Sequence, residues 1–314
     1  YPNLGRGYDR WSGQQIFTGL TTNKNMLGVI TFVLLLGAVW RVIALLKSDE
    51  MPRHRRGPLL AQGTLLVLGI YLLIITNSST SSVCFIIGTG LLLMTNLRFV
   101  RRHVATVHVL VLALVLTASS FMLLGGTASG ANALGRDATL TGRTNIWAAV
   151  IPMAPNPLIG AGFESFWLSP RVYDTLARLF PGLPLNEAHN GYIEVYLELG
   201  WVGLGLIGLI SIDGYRRSVK AFRREPALGG LLIAYILCGM IYSVTEAGFR
   251  MMDPIWIFFL LGIIEASNIA AGVSVETSQP LSASINRAPD PSPRNTLAMG
   301  STGRTMAVKS SSRS

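Results

Sequence analysis

His189 and Asn190 stand at the start of an apolar run long enough to cross a membrane. The 27 residues 142–168 upstream bring arginine, tryptophan and a Pro/Gly-rich turn to the same edge. A histidine at a helix end can be neutral near pH 7 and accept a proton from an attacking hydroxyl. Arginine supplies a planar fork of donors that stays charged, which suits an anionic diphosphate. Arg143 lies in the long connection, Arg250 in the short connection 245–252 beside Glu246 and Asp253, and Lys24 beside Asn25 at the start of the first apolar run. Three cations thus come from separate segments. On the helix opened by Asn190, Glu194 and Glu198 follow at i+4 and i+8. Carboxylates at that depth are costly unless they are paired or face water. Together these types could carry out substitution on a lipid-linked, anionic substrate beside the bilayer. We expect His189 and Arg143 to be catalytic, and Arg250, Lys24, Asn190, Glu194 and Trp147 to bind substrate. Each also has an ordinary role: interfacial hydrogen bonding for the histidine, headgroup contact for the cations, helix pairing for the acids.

Other chemistries lack their residues. The four histidines are scattered, and Cys84 and Cys238 fall inside apolar runs, so neither a metal cluster nor a disulfide framework is expected. No phosphate-cradling P-loop pattern occurs, and no Asp-x-Asp pair outside the membrane could hold a divalent cation. Phosphate handling would rest on arginine, lysine or backbone donors, with no cofactor.

The elements that position these residues follow from composition. Apolar residues make up 50% of the chain and charged residues 13%, which marks a polytopic helical membrane protein of all-α class. Seven spans are expected, at 26–46, 57–76, 81–97, 103–125, 190–212, 227–244 and 253–270. Period-2 alternation is missing from them, which sets strands aside. Of the 26 Lys and Arg, 17 fall in 47–56, 98–102, 213–226 and the tail after Ala271. By the positive-inside rule these segments are cytoplasmic, and 1–25, 77–80, 126–189 and 245–252 face outward. The net charge of +10 is therefore topological, and no nucleic-acid partner is expected. The expected organisation is an external segment 1–25, a transmembrane domain 26–271 with an external loop 126–189, and a disordered cytoplasmic tail 272–314. A start at Tyr1, without methionine or signal peptide, suggests the carboxy-terminal part of a longer protein.

At over 60 residues the external loop exceeds a passive linker. A short helix capped by Thr141 is expected over 142–153, ending before Pro155. Pro155-Asn156-Pro157 and Gly160-Ala161-Gly162 make a turn-rich connector. Val172, Leu176, Leu179 and Phe180 define a second helix lying amphipathically at the interface. Trp147, Phe163, Phe166 and Trp167 suit an aromatic belt, and Gly200, Gly203, Gly205 and Gly208 suit close helix packing.

Four strings in order carry a resemblance. They are Gly19-Leu20-Thr21-Thr22-Asn23-Lys24-Asn25-Met26-Leu27-Gly28, Leu140-Thr141-Gly142-Arg143-Thr144-Asn145-Ile146-Trp147, Pro157-Leu158-Ile159-Gly160-Ala161-Gly162-Phe163, and His189-Asn190 followed after nine residues by Gly200-Trp201-Val202-Gly203. With them the sequence resembles the O-antigen ligase and polymerase superfamily of bacterial membrane glycosyltransferases. The resemblance implies a GT-C-like helical fold in the inner membrane. It implies that a saccharide passes from an undecaprenyl-diphosphate carrier to an acceptor hydroxyl of a glycan or lipid at the outer face, without nucleotide sugar or metal. His189 would then activate the hydroxyl, while Arg143, with Arg250, holds the diphosphate. Membrane lipids and polysaccharide export proteins are the other implied partners. The stretch Gly162-Phe163-Glu164-Ser165-Phe166-Trp167 is similar to exopolysaccharide polymerases, which favours polymerase over ligase. Two departures stand out. Members usually have further amino-terminal spans, so a fragment would lack part of the donor groove. Ser78-Ser79-Thr80-Ser81-Ser82 lacks the arginine that many relatives carry there. The rival readings are a lipid-linked saccharide transporter or flippase, which should show internal repeats or matched broken helices, and a noncatalytic assembly subunit.

Overall fold

The computed structural model describes residues 5–8, 13, 15–48, 52–123, 139–183 and 185–272. The expected tail from 273 onward and part of the long loop, 124–138, lie outside them.

A small antiparallel hairpin, β1 (Arg6–Tyr8) and β2 (Gln15–Phe17), opens the described chain, where only a polar segment was expected. The later elements among the described residues are all helices. Asn23 accepts the Met26 N–H at 2.8 Å and starts α1 (Lys24–Lys47). Then come α2 (Pro52–Thr76), α3 (Ser79–Thr95), the short α4 (Arg98–Arg102) and α5 (Val104–Leu123). The loop contributes α6 (Thr139–Val150), a 3-10 turn at Ile151–Met153 and α7 (Pro170–Leu179). The last three are α8 (Gly191–Arg224), α9 (Pro226–Thr245) and α10 (Pro254–Ala271). Five of these, α1, α2, α8, α9 and α10, are long and apolar enough to cross a membrane, while α3 and the apolar part of α5 are shorter. Each expected span coincides with one of these seven helices. The fold is an all-α membrane bundle.

α9 is the most enclosed, packed on α8, α3, α10 and α1. Small residues allow the approach: Gly88 of α3 faces Leu36 and Cys238, and Gly239 faces Phe259. Phe32, Leu36, Leu92, Ile233 and Leu237 fill the space between them. Ties at one end of the bundle link Lys47 Nζ to Asn96 Oδ1 (2.7 Å), the Trp40 indole to the Ala227 carbonyl (3.0 Å) and Arg224 to the Ile269 carbonyl (2.9 Å). This is the basic end. The starts of α3, α8 and α10 and the end of α9 therefore lie at the other.

α8 departs from expectation twice. The segment 213–226, expected as a loop, continues the helix to Arg224, because no Gly or Pro intervenes between Tyr215 and Glu225 and Arg217 pairs with Asp213 one turn back at 2.6 Å. The helix is also broken at Gly200 (φ 61°, ψ −156°), where one unbroken span was expected. The connector fills the gap. Ala161 and Gly162 N–H groups donate to the Leu197 and Glu198 carbonyls (2.9 and 2.8 Å), and the Trp201 and Val202 N–H groups donate to the Pro157 and Leu158 carbonyls (2.9 and 3.1 Å). The turn-rich string and the glycine string are two halves of one joint. Gly200 thus meets the loop backbone rather than another helix, Gly203 faces Leu199 and Val195 of its own helix, and Gly205 and Gly208 face open space, so the expected packing against a neighbouring helix holds for none of the four.

The loop has its own core. Ile146, Val150, Phe166, Val172, Leu176 and Leu197 pack together. α7 therefore turns its apolar face onto protein rather than lying bare at an interface. Phe166 is buried as well, which removes it from an aromatic belt.

Candidate functional site

The His-Asn pair is built by a helix start. Asn190 caps α8, its Oδ1 accepting the Tyr192 and Ile193 N–H groups at 3.0 and 3.1 Å. Its amide donates to the Val244 carbonyl at 2.9 Å, and the Gly191 N–H donates to the Glu246 carbonyl at 2.9 Å. The start of α8 is thereby fastened to the end of α9. Asn190, wholly buried, is spent on this task.

His189 precedes the cap in a left-handed conformation (φ 52°), uncommon for a residue with a Cβ and held by its surroundings. Those surroundings are the peptide of Ala188. Its carbonyl accepts the Trp147 indole N–H at 2.7 Å, and its N–H donates to Glu194 Oε1. The other Glu194 oxygen accepts the Trp167 indole at 2.7 Å. Trp147 and Glu194, expected to touch substrate, act here on the backbone beside the histidine. Both indoles point into protein.

Around His189 runs a chain of charges. Glu246 Oε1 pairs with Arg143 Nη2 at 3.1 Å, and Arg143 Nη1 donates to the Thr245 carbonyl. Glu246 Oε2 lies 3.6 Å from His189 Nδ1, which is 3.1 Å from Glu187 Oε1 and aligned for a hydrogen bond with neither acid. Glu187 Oε2 pairs with Arg250 at 3.2 Å. Arg143, Glu246, His189, Glu187 and Arg250 thus form one connected line, drawn from the loop, from the approaches to α8 and from the α9–α10 connection. Burial pushes the Glu246 carboxyl up, but the neighbouring His189 and Arg143 outweigh it and hold it below its ordinary range. Asp253, the cap of α10, is pushed up to about 6, mainly by burial.

The expected residues are therefore divided. Arg143, His189 and Arg250 come together. Lys24 opens α1. Glu187 and the pairing role of Glu246 were missed, although an acid two residues before the histidine was a readable signal. The hydroxyl-rich element at 78–82 is partly self-satisfied, with Ser78 Oγ on Ser81 Oγ at 2.9 Å, and it reaches the site through Thr80 and Thr245 hydroxyls 2.9 Å apart.

Over residues 64–208 the chain matches the O-antigen ligase family. It is 28% identical over 228 residues to the exopolysaccharide production protein ExoQ of Rhizobium meliloti (strain 1021), covering 69% of this chain and 50% of that protein. The chain spans about half the length of this curated relative. Arg143, the connector, His189-Asn190 and the Gly200 break all fall within the family match, whereas Lys24, Glu246 and Arg250 lie outside it. The helical membrane bundle is thus similar to the O-antigen ligase family over the stretch that holds both halves of the α8 joint and the histidine it carries.

Proposed function

We propose that the protein is a membrane glycosyltransferase of the O-antigen ligase and exopolysaccharide polymerase kind. It would transfer saccharide from an undecaprenyl-diphosphate carrier to an acceptor hydroxyl at the outer face of the bacterial inner membrane. Polymerisation of carrier-linked units is the favoured form, in keeping with the exopolysaccharide role in the relative's name. The supporting observation is the single carboxylate, Glu246, that faces both Arg143 and His189.

Two acids beside His189 Nδ1 favour the tautomer with its proton there and leave Nε2 to accept the hydroxyl proton. The imidazolium formed is stabilised electrostatically by the same two carboxylates. The acceptor oxygen bonds to the sugar carbon as that carbon's bond to the diphosphate oxygen breaks. Arg143, partly exposed, would meet the charge on the departing diphosphate, and Arg250 would assist from the far end of the line. This reading is independent of any metal.

The test is to place His189→Ala and Arg143→Ala in the source cell's own copy of the gene and follow carrier-linked glycan and polymer length at matched protein level. Loss of polymer with accumulation of the carrier-linked unit in both variants is the expected result. Normal polymer in both would refute the site assignment and favour a transport or assembly role.

A further inference from the structure

We infer that the basic end of the bundle, opposite the line of charges, holds an anionic phospholipid by its headgroup phosphate. A cavity of about 860 Å³ opens there between α5, α8 and α10. Arg216, Arg217, Lys220 and Arg223 line it, and Asp213 is the acid among its lining residues. Asp213 is already committed to Arg217, which also donates to Ser267 Oγ at 3.2 Å. Among the described residues no carboxylate pairs with Arg216, Lys220 or Arg223. These three recur at i, i+4 and i+7, so they project from one side of α8.

Retention of cations on the cytoplasmic side accounts for their sign and number. It does not account for a cavity. The wall is mixed: Val219, Ala270 and Ala271 supply apolar surface under the cationic rim, and a hydrogen bond between the Tyr215 hydroxyl and His108 Nδ1 (2.7 Å) closes the α5 side. Two exposed apolar stripes lead away toward the middle of the bundle. On α8, Ile212 and Leu209 lie one and two turns back from Arg216. On α10, Ile264 and Leu261 lie one and two turns back from Ser267. A phosphate above and acyl chains below match this arrangement, and basic pockets between transmembrane helices are known to favour such headgroups. The inference draws on no residue of the proposed transfer reaction.

The test uses the chain purified in neutral detergent, with native mass spectrometry and titration of diphosphatidylglycerol, phosphatidylglycerol, phosphatidylcholine, inorganic phosphate or glycerol 3-phosphate. Anionic lipids should be retained with saturable affinity, and phosphatidylcholine should be lost. Arg216→Gln with Lys220→Gln should weaken retention about fivefold per cation. Arg53→Gln with Arg56→Gln, which removes the same charge at the start of α2, should leave it within about twofold. Equal weakening by both pairs would reduce the effect to general surface attraction and overturn the proposal. So would equal retention of phosphatidylcholine, or binding of soluble phosphate as tight as that of the lipid. Melting of both variants like the parent confirms that a loss reports the cavity and not the fold.

Discussion

Gly200→Ala should destabilise the protein far more than Gly205→Ala on the same helix. At Gly200 the backbone sits at φ 61°, ψ −156°, a region open in practice to glycine alone, and holding alanine there costs about 1–3 kcal/mol. A Cβ would also overlap the Leu158 carbonyl and stand 2.6 Å from the Ile159 nitrogen, so the connector must shift. Shifting it stretches the Trp201 and Val202 bonds to the Pro157 and Leu158 carbonyls, at about 1 kcal/mol for each bond lost. The sum is about 3–5 kcal/mol, or roughly 6–20 °C in melting temperature. Gly205 has open space around it, and alanine there should be neutral or stabilising by about 0.5–1 kcal/mol. The chain supplies its own reporter. Its two cysteines, Cys84 and Cys238, are free and buried, so a thiol-reactive fluorogenic maleimide lights up only as the bundle opens. Equal melting of Gly200→Ala and the parent would show that the α8 break and its docked connector do not exist as described.

Three further outcomes follow from the site. Glu246→Gln leaves Arg143 and His189 without their shared charge and should lower glycan transfer about 100-fold at unchanged protein level, within the range of a general base's contribution; polymer synthesis within twofold of the parent would contradict it. Trp167→Phe strips one donor from the buried Glu194 and should cost about 1–3 kcal/mol, read in the same maleimide melt. Asp253 keeps its proton in the folded protein up to about 6 against an ordinary value of 3.8, so its contribution to stability is full below 3.8 and is lost as pH rises through 6. Asp253→Asn should remove that part of the slope, seen as a narrowing gap between variant and parent melting temperatures at acidic pH.

The helices were legible because hydrophobic length is a local property. An apolar run such as 227–244 needs no partner to declare itself, and it returns as Pro226–Thr245 within a residue at either end. The break in α8 was hidden because glycines read alike whether they admit a neighbouring helix or a strand-like loop; only the connector at 157–162 distinguishes Gly200 from Gly205. The site was half legible. Arg143 and His189 carried family strings, whereas Glu246 meets Arg143 across 103 positions and has no local signature. Trp147, Trp167 and Glu194 were visible as residue types. Their work on the Ala188 peptide and on one another could not be read, since it depends on the folded path of the loop.

The joint at Gly200 also constrains inheritance. Residues 157–162 and 197–202 share their backbone bonds, so neither can be exchanged with a relative's version without the other. A chimera that moves only the loop would leave a transmembrane helix with unmet carbonyls and amides at its bend, and one that moves only the helix would strand a loop shaped to a bend no longer there. Recombination and design alike must treat the two stretches as a single module, and specificity built into the loop travels between relatives only with the first turns of α8 attached.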